Sequence, residues 1–193
     1  MCGNMFGKKK VIRRADPNKV AVLFVDEMND LQSQIAEYFL TEFYNDVYEV
    51  RSAGPKNDHV DCELVSVMYQ NGHDIRRAVS KDFNAKNMIT YDYIVFLQKD
   101  TYDRIRHAIP FKGKHILKDF GKREDFRATD DLELAACYSN LTEAVREWVR
   151  ESFSSPENLE KMVGNNYTKK RYTMLKDFLV EMREKAETMF SSV

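Results

Sequence analysis

Val20–Val25 (VAVLFV) is an unbroken apolar run, the pattern of a strand buried on both faces. The period then changes. Leu31, Ile35, Ala36, Phe39, Leu40 and Phe43 fall at helical spacing and predict a helix close behind that strand. Tyr48–Ser52 reads as a second strand, closed by the turn signal Ala53-Gly54-Pro55. Val60, Leu64, Val67 and Met68 mark a second helix with Gly72 as its stop. Asp92–Leu97 is a third strand, followed by a charged helix from about Asp100 to Ala108 that ends before Pro110. His115-Ile116-Leu117 predicts a short fourth strand leading into the loop Lys118–Asp125. Leu141, Ala144, Val145, Trp148 and Val149 give a further helical face. Asn140 and Glu143 are spaced as a capping box at its start.

Strands alternating with helices predict an α/β fold with a parallel sheet covered on both faces. In such sheets ligands bind beyond the carboxyl ends of the strands. The loop 26–33, the turn Ser52–Pro55 and the loop 118–125 would then lie along one edge. Residues 1–17 read as a flexible basic arm and 18–153 as the α/β domain. Ser154-Ser155-Pro156 marks a break before a helical extension, 154–193. Its apolar face, interrupted near Gly164-Asn165-Asn166, predicts two helices. These would pack back on the domain or form an interface with a protein partner or a second copy of the chain.

Bulk composition narrows the class. The 193 residues carry a net charge of −1, which gives no long-range attraction to nucleic acid or an anionic membrane. A hydrophobic content of 43% is that of an ordinary globular domain, and no apolar run is long enough to span a bilayer. Cys2, Cys62 and Cys137 lack metal spacing or a CxxC pair, which fits a reducing cytoplasm. Cys62 is expected in the packing face of the second helix. His59, His73, His107 and His115 have no ligand spacing and are expected as surface or capping residues.

The stretch AVLFVDEMNDLQSQIAE carries the main chemical signal. A strand running through a short loop into a helix aims backbone amides at a common point, the frame of an anion site. Yet the loop holds Asp26, Glu27 and Asp30 and has no Cys, Arg, Lys or Gly. Its frame and its charge disagree.

With its flanks, this segment resembles the active-site strand, loop and helix of low-molecular-weight protein tyrosine phosphatases and thioredoxin-coupled arsenate reductases. The family pattern is a strand, Cys, five residues, Arg, Ser or Thr, and a helix that often reads Q-x-A-E. Asn29, Ser33, Gln34, Ala36 and Glu37 match it, as do Ser52-Ala53-Gly54, NGHDIRRAVSKDF and DYIVFL. The similarity spans roughly residues 18–153. It implies a three-layer fold with a four-stranded parallel sheet in the order 2-1-3-4, here with extra C-terminal helices.

The resemblance also shows what is missing. In the family the Cys is a thiolate nucleophile and the Arg grips phosphoryl oxygens in a bidentate fork. Asp26 stands at the Cys position and Gln32 at the Arg position. Leu31 replaces the reductases' second loop cysteine, and Gln98 falls near one of their later redox cysteines. Asp119 is the candidate for the acid-loop aspartate, with Phe120 where proline is usual. The residues at the phosphate-binding position are Asp26, Glu27, Met28, Asn29, Asp30, Leu31, Gln32 and Ser33.

A carboxylate can accept a phosphoryl group, but such enzymes offset the charge with Mg²⁺ or a cationic side chain. A misplaced charge a few ångströms away in partly buried space costs on the order of several kcal/mol. The leading expectation is therefore an inactive phosphatase- or reductase-like domain serving as a binding or regulatory module. The alternative is a hydrolase or phosphotransfer protein using Asp26 with a metal, or Asp26 and Asp119 as acid and base. Asp26, Glu27 and Asp30 could hold a hard cation such as Mg²⁺. The simplest role for these carboxylates is structural, complementing the helix dipole with Asp30 as the cap. FVDE also resembles the acidic pair of receiver domains, but the third strand ends in Leu97 and Gln98 rather than in an acceptor Asp.

Overall fold

A run of β-branched and aromatic residues builds the central strand, β1 (Val20–Val25), of the computed structural model. Residues 16–56, 58–83, 90–108, 114–126 and 128–163 are described. The basic arm up to residue 15, Pro110 and everything after Val163 lie outside them, including the expected second C-terminal helix.

Around β1 stand β2 (Tyr48–Ala53), β3 (Tyr93–Phe96) and β4 (Lys114–Leu117), all parallel and in the order β2-β1-β3-β4. The connecting helices are α1 (Gln32–Tyr44), α2 (Cys62–Gln70), α3 (Lys99–Ile105), α4 (Asp131–Ser152) and α5 (Pro156–Val163). Register follows the period of two. Val22 and Phe24 face a core shared with α1, α2, α4 and α5, whereas Leu23 and Val25 face a smaller one with Ile94, Phe96 and Tyr102. Helices on both faces complete three layers.

α4 begins well before Asn140, which lies inside it. Asp130 caps the helix by accepting from the Glu133 N–H at 2.8 Å, and Thr129 donates back to Glu133. Its first turns carry an exposed Leu132, so the apolar face that betrays the helix becomes continuous only from Tyr138. Pro156 opens α5, where a missing N–H costs nothing, and Leu159 and Phe153 are fully buried. Glu160 on α5 pairs with Lys114 and accepts from the Tyr93 hydroxyl at 2.5 Å, fastening α5 to the start of β3 and β4. Gly72 ends α2 as expected, with a φ of 84° that a side chain would strain.

Candidate functional site

The loop between Val25 and Gln32 is held from every side. Asn29 has a φ of 53°, the sole positive value for a non-glycine among the described residues. Its side chain sustains that turn: Nδ2 donates to Ser33 Oγ at 2.8 Å, and Oδ1 accepts from the Lys81 N–H at 2.7 Å. The loop carbonyls are taken in turn. Glu27 O accepts from Lys56 N–H, Met28 O from Ser80 Oγ, Asn29 O from Gln34 Nε2 and Asp30 O from Asp61 N–H. Gly54 lets β2 close on the loop: a Cβ there would stand 2.6 Å from Asn29 N and 2.8 Å from Glu27 O.

The three carboxylates diverge. Asp26 is fully buried, with Oδ1 accepting from the Asn29 N–H at 2.5 Å and Oδ2 from the Ser33 N–H at 2.8 Å. Burial raises its carboxyl above the ordinary value, while bonds from Ser33, Asn29 and Leu31 pull the other way. Glu27 points outward to Lys56 at 2.7 Å and Arg104 at 3.2 Å, which lower its pKa despite some desolvation; the Lys56 bond is the larger influence. Asp30 is buried and pairs with Arg123, whose second nitrogen reaches Asp61 at 2.7 Å; the Tyr138 hydroxyl donates to the same Asp61 oxygen. Asp30 is therefore not the helix cap: Asp26, through Ser33, serves the first turn of α1. Among the described residues no group of three His, Cys, Asp or Glu side chains is placed to hold a metal ion.

Gln32 and Gln98 fill the space beside the loop. Gln32 Nε2 donates to Gly121 O at 2.9 Å, and its Oε1 accepts from Gln98 Nε2 at 3.1 Å. Gln98 Oε1 accepts from the Glu27 N–H and from Thr101 Oγ1. The network is buried and neutral. Asp119, by contrast, is exposed and accepts from the N–H groups of Lys99 and Gly121. Two surface hollows, of about 650 and 430 Å³, lie along the 74–81 segment, and neither is lined by residues 26–33.

The three segments expected at one sheet edge do meet. Gly54 abuts Asn29, and the 118–126 segment reaches the loop through Gly121 and Arg123. The sequence did not reveal Lys56, Arg104 and Arg123 as partners of the loop carboxylates. Cys62 is exposed at the start of α2 rather than packed, because the buried stripe runs through Leu64, Val67 and Met68. His115 is not a surface residue: it faces inward on β4, where burial lowers its pKa.

The sequence model for low molecular weight phosphotyrosine protein phosphatase matches residues 21–163, so α5 lies inside the match. Among solved structures, Vibrio vulnificus Wzb in complex with benzylphosphonate is 20% identical, covering 69% of this chain and 99% of that one (TM-score 0.56). Escherichia coli K30 Wzb in complex with sulphate is also 20% identical, covering 68% and 96% (TM-score 0.56). The thioredoxin-dependent arsenate reductase Cg_ArsC1' of Corynebacterium glutamicum is 20% identical over 72% of this chain and 65% of that one (TM-score 0.52). At this identity these structures speak for the fold alone. No curated protein matches.

Proposed function

The chain belongs to the low-molecular-weight phosphotyrosine protein phosphatase family, and from that premise we propose that it is a pseudoenzyme: a binding or regulatory module without the family's cysteine chemistry. The observation that carries this reading is the pair of replacements at the loop. Asp26 stands where the family has its nucleophile, fully buried and hydrogen-bonded to the loop's own amides. Gln32 stands where the family has its arginine, and its amide is turned to Gly121 and Gln98. A neutral amide cannot offset the charge of a phosphoryl group in transfer. The cations near the loop, Lys56, Arg104 and Arg123, are each engaged with a carboxylate.

The proposed setting is the cytoplasm; no helix of the described residues is long and apolar enough to cross a membrane. The proposed partner, another protein or a second copy, is engaged through the C-terminal extension. Because α5 packs on the domain, truncation after Val163 is the clean test of that contact, read as solution mass. For the reaction, p-nitrophenyl phosphate hydrolysis and arsenate reduction are assayed with and without Mg²⁺. The expected result is no turnover above buffer. Turnover abolished by Asp26→Ala would overturn the proposal, and a Mg²⁺ requirement would favour phosphotransfer through Asp26.

A further inference from the structure

Backbone amides buried at the mouth of a helix need an acceptor, and an orphaned donor there is costly. In this loop the acceptor is covalent. Both oxygens of Asp26 are in use, one on the Asn29 amide and one on the Ser33 amide, and the Leu31 amide acts on the same group. The carboxyl is wholly enclosed. The 118–126 segment is tied to the same loop twice, by Gln32 to Gly121 O and by Arg123 to Asp30.

We propose that the Asp26 carboxyl is a built-in ligand, seated on the amides of Asn29 and Ser33 so that no diffusible oxyanion can occupy them. The loop amides already meet an acceptor from their own chain, and tethering makes that internal group outcompete phosphate, sulfate or a small carboxylate at any ordinary concentration. Partner recognition then falls to surfaces outside the loop. This deepens the pseudoenzyme reading and rests on it, since it concerns the same site.

The test is binding rather than turnover, so the two ideas fail separately. Thermal unfolding is followed for the full chain, for Asp26→Ala and for Asp26→Ser, in sulfate, phosphate or formate against chloride at equal ionic strength. Sulfate stabilises most proteins by exclusion, so the readout is the variant's shift minus that of the wild type. At about 100 mM sulfate the variants are expected to gain roughly 3–6 °C over the wild type. In amide NMR spectra the Asn29, Leu31 and Ser33 signals should move in the variants and stay fixed in the wild type. Equal anion responses in all three proteins would overturn the proposal. So would variants that fail to fold even with sulfate present, because the seat should then refill. Phosphatase turnover by the wild type would count against the pseudoenzyme reading and leave this comparison to be read by itself.

Discussion

Gly54 lies flat against the backbone of Asn29, close enough that a Cβ would stand 2.6 Å from the Asn29 nitrogen. The neighbouring atoms are all main chain, so none can swing aside. Gly54→Ala is expected to cost about 1–3 kcal/mol by forcing β2 and the loop apart. Urea denaturation measures it, and a midpoint equal to that of the wild type would sink the argument.

Arg123 and Asp30 should be coupled. Arg123→Ala leaves the nearly buried Asp30 carboxylate without its cation, at an expected cost of about 1–3 kcal/mol after allowing for the half-exposed arginine. Asp30→Asn in the same chain should recover most of that loss. A double-mutant cycle reads the coupling, and strictly additive effects would refute it.

Gln98 serves three groups from one buried side chain: Glu27 N–H, Thr101 Oγ1 and Gln32 Oε1. Gln98→Ala should destabilise the domain by about 2–4 kcal/mol, more than shortening an exposed side chain would. The amide of Glu27 should also exchange with solvent faster. Unchanged protection at Glu27 would count against the network.

The buried Asp26 carboxyl gives stability a direction with pH. Its folded pKa is raised above the ordinary 3.8 by burial, which outweighs the opposing hydrogen bonds from Ser33, Asn29 and Leu31. The protonated form is therefore favoured in the fold. Its contribution is whole below 3.8 and is lost as pH rises through the folded pKa. Asp26→Asn removes this dependence, so the variant should gain on the wild type as pH rises through that window. Parallel stability curves for the two proteins would rule it out.

Much of this architecture is legible along the chain. Continuous apolar runs mark β1 and β3, and the period-3.6 stripes mark α1 and α2, because each is a local pattern. The start of α4 is hidden, since Leu132 points to solvent and the capping carboxylate of Asp130 looks like any polar loop residue. The candidate loop is legible in position and in its missing Cys and Arg. Its wiring is not. Three acidic letters in a row of five suggest a shared cation or mutual repulsion, whereas the folded loop turns Asp26 onto its own amides and sends Glu27 and Asp30 to cations from remote parts of the chain. Such pairings are set by topology, and no local window contains both ends.

The distance along the chain of those partners has a kinetic side. Arg104 reaches Glu27 across 77 positions, Gly121 receives Gln32 across 89, and Arg123 meets Asp30 across 93. Contacts this remote close large loops of chain and form late. On a ribosome the β1–α1 unit would emerge with the bonds inside its bend available, and its ties to Gly121 and Arg123 would wait until the 118–126 segment had cleared the tunnel. A fragment ending before β4 should therefore keep the bend and lose its ties to Gly121 and Arg123, so a split protein cut in that region would report reassembly through those two contacts.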